Sequence, residues 1–446
     1  MMSERLALQR AELEQAVERA LEVATGLGLD GAEVALQKQQ GLSVSTRLGE
    51  VETVEFNKDG ALGISVFRDG CKGNASTSDL SDDAIRAAVK AAATIASQTS
   101  ADQYNGLAEA NQMATELTDL ELYHPYDLDP QQAVALAARA EQAAMAADSR
   151  IVNSDGASIN SHESVKVYGN SHGFIGSSCS SRHSLSCVAI GQDEHGMERD
   201  YDYTVARDFN NLLSPEQVGK QAGIDTASRL GAQKIDTCQV PVLFSAAQSV
   251  GLIGHLIGAI SGASLYRNAS FLKDSLGEQL FPDWFSINED PHRKGALASA
   301  MFDGEGVATR QRSIVTAGVL DTYLLTAYSA RRLGINNTGH AGGIYNWDLN
   351  RNGGDLKAML KQLGTGLYVT EMMGQGVNGV TGDYSRGAAG FWVENGEIKY
   401  PVHEITIAGN LKHMYRNMVA MGSDVDSRHS LAAGPILLES MMVAGN

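Results

Sequence analysis

The sequence predicts an α+β fold: mixed α/β layers with an antiparallel sheet at the N-terminus, and a C-terminal domain rich in antiparallel β with helices. Three observations carry that expectation. Runs of β-branched residues are joined by turn pairs such as Asp69-Gly70, His195-Gly196 and Asn395-Gly396. Strands therefore come in hairpins, rather than alternating singly with helices as a doubly wound parallel sheet requires. Helical periodicity recurs in separate stretches opened by capping residues. At 446 residues the chain exceeds the size over which one core keeps growing, and 43% hydrophobic residues supply several. We expect an N-terminal α/β domain at 1–120, a middle α+β domain at 121–235 and a C-terminal domain at 236–446.

The elements follow in order. Leu6, Leu13, Val17, Ala20, Leu21, Ala24 and Leu27 recur at three- and four-residue spacing, which predicts a first helix. AEVALQKQ, GLSVSTRLGEVETVEF and GALGISVFRDGCKGNAST read as strands, with turns at Asp59-Gly60 and Asp69-Gly70; about four strands and two helices make this opening layer. Ser81 caps a helix running through Ile95, and residues 99–128 are a polar connection without period. Asp129-Pro-Gln-Gln132 starts an Ala-rich helix to Ala147, Gln132 reaching back to the cap. Residues 151–205 are strand-like with turns at Asp155-Gly156, Gly169-Asn170 and His195-Gly196, and Ser214-Pro-Glu-Gln217 opens a helix to about Leu230. The C-terminal domain holds the strand VPVLFS, the run SVGLIGHLIGAISG, a helix DLKAMLKQLG, a hairpin turned at Asn395-Gly396, a helix LKHMYRNMVAM and a final apolar segment.

Composition excludes several functions. With 53 acidic and 35 basic residues the formal charge is −18, which repels nucleic-acid phosphates and anionic lipid heads. No run approaches the roughly 20 apolar residues of a spanning helix, and the polar opening MMSERLALQRAELEQ lacks a signal-peptide core, so a cytoplasmic location is expected. Four scattered cysteines predict reduced thiols rather than a disulfide framework.

Candidate sites are few. As a helix, SVGLIGHLIGAISG places Gly254, Gly258 and Gly262 four apart, a stripe that lets another backbone approach closely at about 1 kcal/mol of propensity per Gly. His255 alone cannot hold a catalytic zinc, which takes three protein ligands. Cys179, His183 and Cys187 are spaced by four, but on a strand they lie about 13 Å apart and cannot share one ion. Ser178, Ser181 and Ser184 beside His183 lack the G-x-S-x-G elbow of a nucleophile. The loop 374–382 is Gly-rich without a P-loop lysine. Thr381–Trp392 combines Asp383, Tyr384, Ser385 and Arg386 just before a strand: either a surface ion pair between Asp383 and Arg386, or groups that bind an extended peptide by backbone pairing. His340, in Gly339–Gly343, joins these as a candidate.

Long blocks decide more than any short motif. DGAEVALQKQQGLSVSTRLGEVETVEFNKDGALGISVF, NSHGFIGSSCSSRHSLSC, TGHAGGIYNW and TGDYSRGAAGFWVENGEIKYPVHEITIAGNL closely resemble the TldD/PmbA family of metallopeptidases, also called modulators of DNA gyrase, from about Leu29 to the C-terminus. The resemblance implies a cytosolic heterodimer of TldD-type and TldE-type subunits that cleaves unfolded or leader-type peptides, with zinc held by an H-E-x-x-x-H helix and a late cysteine in the TldD branch. With the register set by the Arg267 region, the first His of that motif falls on Gly254, the Glu on His255 and the second His on Ala259; no cysteine follows Cys238. Gly and Ala offer no donor, so the resemblance implies a metal-free TldE-type subunit: no cofactor here, zinc in the TldD-type partner and an extended peptide as substrate; for the chain without its partner a homodimer is the assembly to test, an even-subunit oligomer being the usual outcome for soluble proteins. His255 is expected as polar filler hydrogen-bonded to a neighbour. Two alternatives compete: a non-proteolytic regulatory or binding protein of the gyrase-modulator kind, and an independent enzyme using Asp383, Tyr384, Arg386 or His340.

Overall fold

The structure is a computed structural model that describes residues 5–445; the first four residues of the polar opening, and residue 446, lie outside the described residues. Helix α1 (Arg10–Gly26) presents Leu13, Val17, Ala20 and Leu21 to strands β1 (Gly31–Arg47) and β2 (Glu50–Arg68), with β3 (Cys71–Thr77) and helix α2 (Asp82–Ala96) completing that core. Leu48 and Gly49 turn β1 into β2 with φ of 51° and 80°, the two positive values a tight hairpin demands. The turn expected at Asp59-Gly60 does not form. Strand β2 runs through it, because Gly60 faces Lys38 across the ladder so closely that a Cβ would lie 2.7 Å from the lysine Cγ. The opening layer thus has three strands, two of them long, in place of about four. Asp69-Gly70 turns as expected.

Residues 97–129 form a connection pinned from the far end of the chain: Arg331 donates to the carbonyls of Tyr104 and Gly106, both at 3.2 Å. Asp129 then caps α3 (Pro130–Ala147) by accepting from the Gln131 and Gln132 amides, while the Gln132 side chain donates to the Tyr126 hydroxyl instead of reaching back. Strands β4 (Ile151–Asn170), β5 (Ile175–Asp193) and β6 (Gly196–Ala206) follow. Asp155-Gly156 is a bulge in β4 rather than a turn, since a Cβ on Gly156 would press 2.6 Å from the Thr46 carbonyl oxygen. Helix α4 (Pro215–Arg229) carries the full reciprocal cap at Ser214 and Gln217.

These strands make one antiparallel six-stranded sheet in the order β3-β2-β1-β4-β5-β6. Alternation along β1 turns Val34, Leu36, Leu42 and Val44 to one face, under α1 and α2 at one end and α3 and α4 at the other. Glu141 of α3, buried, seizes the hairpin tip by accepting from Thr46 Oγ1 (2.8 Å) and the amides of Leu48 (2.9 Å) and Gly49 (3.3 Å). Strand β3 covers only Leu62–Arg68 of β2, which leaves the rest of β2 as an open edge with Val54 and Phe56 exposed.

The chain from Cys238 onward builds two sheets around a shared core. Its elements are β7 (Cys238–Phe244), α5 (Ala246–Ala259), α6 (Gly262–Tyr266), β8 (Ile287–Glu289), β9 (Arg312–Thr316), β10 (Val319–Leu320), α7 (Ala327–Leu333), β11 (Trp347–Leu349), α8 (Leu356–Leu363), β12 (Gly366–Met373), β13 (Asp383–Glu394), β14 (Glu397–Asn410), α9 (Leu411–Arg416), β15 (Met418–Met421), β16 (Leu431–Ala432) and β17 (Ile436–Ala444). The orders are β14-β13-β12-β7-β17-β15 and β10-β9-β8-β11-β16. Antiparallel pairs dominate, with β7–β12 and β11–β16 parallel. The helix expected over LKHMYRNMVAM stops at Arg416, because Met418–Met421 pairs with β17 and completes the sheet edge. Leu252, Ile253, Leu256 and Ile260 sink into the core between the two sheets, while α8 covers the opposite face of the larger one.

Candidate functional site

The sequence of α5 divides its surface. Leu252, Ile253, Leu256 and Ala259 are buried, so the complementary stripe at three- and four-residue spacing consists of Gly251, Gly254, His255 and Gly258. A Cβ added to Gly251, Gly254 or Gly258 would meet nothing within 4 Å. The close backbone approach expected of the glycine stripe is therefore absent along α5, and holds only at Gly262, where a Cβ would collide with Ser329. The glycines floor an open face.

Two side chains of β13 stand beside that face. Residues two apart on a strand share a side, so Tyr384 and Arg386 point one way while Asp383 and Ser385 are exposed on the other. The His255 ring meets Tyr384 edge-on, centroids 5.9 Å apart at 80°. Its Nε2 is sealed from solvent yet has no hydrogen-bond partner, so the expected satisfied histidine is instead an orphan. Burial, then the Arg386 guanidinium, lowers the imidazole pKa and favours the neutral ring. Tyr384 is 2% exposed; its hydroxyl lies 3.9 Å from the Met372 sulfur and within hydrogen-bond reach of the Arg386 side chain, and burial pushes its pKa up to about 12 against the opposing pull of Arg386. Arg386 donates Nε to the Gly374 carbonyl at 3.1 Å and has no carboxylate within ion-pair distance among the described residues.

The remaining candidates fall elsewhere. Asp383 accepts from Thr381 Oγ1 (2.6 Å) and Asn410 Nδ2 (3.2 Å), which hold its carboxyl below the ordinary range, so the surface pair with Arg386 does not form. The Ser385 amide donates to the Gly376 carbonyl. His340 belongs to a buried hub in the five-stranded sheet: Nδ1 meets Thr338 Oγ1 at 2.8 Å and Nε2 meets Glu289 at 3.0 Å, while Glu289 also accepts from the Tyr345 amide and Trp347 Nε1. Both ring nitrogens are occupied, so His340 holds the fold there. His183 on β5 is likewise satisfied, by Ser161 Oγ (2.9 Å) and the His124 carbonyl (3.0 Å), with Ser181 bonded to the Arg207 carbonyl. A cavity of about 500 Å³ lies on the N-terminal sheet among Gln40, Phe56, Tyr126, His162, Glu163 and His183. Nothing in the spacing of those residues marks it, because they come from β1, β2, β4, β5 and the connection.

Models of the PmbA/TldA metallopeptidase match domain 1 at residues 32–96, the central domain at 123–230 and the C-terminal domain at 237–445. The chain belongs to the PmbA/TldD family. It is similar to the metalloprotease PmbA of Escherichia coli O157:H7, 55% identical over 98% of this chain and 97% of that one. It is also similar to a Haemophilus influenzae homologue of that protein, 57% identical over 99% and 98%. In structure it resembles a Bacteroides thetaiotaomicron protein described as a proposed modulator of DNA gyrase, with TM-score 0.92, 27% identity and coverage of 98% and 99%. TldE from Thermococcus kodakarensis, at TM-score 0.84 and 20% identity over 96% and 100%, shares the fold.

Membership in a metallopeptidase family raises the question of a metal. Around α5 the residues do not fit one: hydrogen and methyl side chains occupy Gly254 and Ala259, the single imidazole is His255, and the nearby charge is the cationic Arg386. No group of three or more His, Cys, Asp or Glu positioned for a metal exists among the described residues. No helix is long and apolar enough to cross a membrane.

Proposed function

We propose that this chain is the metal-free, TldE-type subunit of a cytosolic peptidase whose zinc sits in a TldD-type partner, and that it helps hold unfolded or leader-type peptide for cleavage. One observation carries the reading: α5, the helix on which the family resemblance would put the zinc motif, offers one imidazole and a neighbouring guanidinium where hydrolysis needs three donors and a carboxylate base. Its open glycine face supports a role in accommodating chain rather than in packing.

The test is elemental analysis with activity. The purified chain should carry no stoichiometric zinc and hydrolyse nothing, and adding a TldD-type subunit should yield a zinc-dependent peptidase that neither gives alone. Zinc-dependent turnover by the lone chain refutes the reading. The description of the Bacteroides neighbour supports a second one, a regulatory protein acting on gyrase without proteolysis; it gains if pull-downs recover gyrase and no TldD relative.

A further inference from the structure

We propose that Arg386, Tyr384 and His255, above the open face of α5, form a subsite for a carboxylate of an extended peptide. This rests on the reading that the chain handles peptide, and names the chemistry by which it would do so.

Three polar groups converge there with few partners outside the group. Arg386 spends Nε on a backbone carbonyl and faces no acid among the described residues. Tyr384 is buried, and apart from the Met372 thioether its hydroxyl is paired only within the group, to Arg386 itself. His255 keeps a solvent-sealed Nε2 with no hydrogen bond. Leaving such groups unsatisfied disfavours the folded state, so their persistence points to an external partner. Arginine and tyrosine donate, and a neutral imidazole donates from the nitrogen that carries its proton. The natural complement is an anion rich in acceptors, and a guanidinium fits a carboxylate with two parallel bonds. The same guanidinium repels a metal cation. In a chain with 53 acidic residues, the lack of an acid beside Arg386 keeps that charge available.

The helix supplies the floor. From Gly251 to Gly258 is about 10 Å at 1.5 Å per residue, the length of roughly three residues of extended chain. His255 lies within that stripe, four residues after Gly251 and three before Gly258. A peptide main chain resting on the glycines would carry its carboxylate to Arg386.

A terminal α-carboxylate and an Asp or Glu side chain offer the same chemistry, and four probes separate them. Fluorescein-labelled short peptides of Ser, Ala and Leu are compared by anisotropy with the full chain, alone and mixed with the TldD-type subunit. The probes are the free acid, its C-terminal amide, and amides containing one Glu or one Gln. Free acid tighter than amide assigns the terminus; the Glu amide tighter than the Gln amide assigns the side chain. Arg386→Gln should remove the preference, weakening binding roughly ten- to a hundredfold as expected for a charged hydrogen-bonded pair. Arg386→Lys should weaken it less. Unchanged thermal unfolding of the Lys variant excludes a folding defect. Equal binding of acid and amide together with equal binding of the Glu and Gln amides, a preference that survives Arg386→Gln, or no binding of any probe overturns the proposal. Peptide hydrolysis by the mixture without any carboxylate preference leaves the subunit assignment standing and removes only this subsite. A preference without hydrolysis does the reverse.

Discussion

Gly254→Ala should make the protein more stable and worse at holding peptide. Gly254 is in the middle of the 14-residue helix α5, with helical backbone and open space where the new methyl group would sit. Alanine restricts the unfolded chain and favours the helix, worth about 0.8–1 kcal/mol at an interior position, with no collision to subtract. Gly258 is one residue from the helix end and should give less. For a cooperative unit of 150–250 residues, each 1 kcal/mol moves the melting point by about 2–4 °C. Circular dichroism on the single and double variants reads that shift, and anisotropy with a free-acid peptide reads the loss of binding as methyl groups lift the chain off its floor. A lowered melting point would falsify the reasoning, because it would mean that another backbone lies against the stripe. Raised stability with undiminished binding would keep the open face and dismiss it as a floor.

Other perturbations separate structural polar groups from the site. Glu305 is half-buried, accepts from the Ala327 amide at 2.8 Å, and the loss of solvent around it raises its pKa from 4.5 to about 7. The native state then binds this proton more tightly than the unfolded one, so stability is greatest below about pH 4.5 for this group and is lost as pH rises through about 7. Glu305→Gln should flatten that slope, by an amount on the order of a few kcal/mol, in urea titrations run from pH 5 to 8. Glu141→Ala strands the Thr46 hydroxyl and the hairpin amides and should cost about 2–3 kcal/mol in the same assay. His340→Ala leaves the buried Glu289 carboxylate short of a partner and should cost about 2–4 kcal/mol while sparing peptide affinity, whereas an affinity loss at constant stability would move His340 into the site.

How far the sequence could be read depended on whether a signal was local. Caps at Ser81, Asp129 and Ser214 and turns at Asp69-Gly70 and Asn395-Gly396 are settled within four residues, and each is found where the chemistry requires it. Asp59-Gly60 and Asp155-Gly156 carry the same local signature and failed, because strands across the ladder, at Lys38 and Thr46, needed a residue without a side chain. Met418–Met421 continued a helical pattern yet became a strand, since β17 offered an edge. Residue types at the site were equally legible: Tyr384 and Arg386 share a strand face whatever surrounds them. Their meeting with His255, more than a hundred residues earlier in the chain, was not.

The glycines of α5 show why the sign of such a signal cannot be local. An absent side chain allows either a neighbour to come close or a space to stay empty, and the helix propensity lost is the same in both cases. Gly262 and Gly258 stand four residues apart in one run, yet the first is packed against Ser329 and the second faces nothing. Only the path of the rest of the chain decides between them. Where it leaves the face empty, next to a cation without an acid and an imidazole whose sealed Nε2 has no bond, the missing side chains are better explained by room for a ligand than by what is packed.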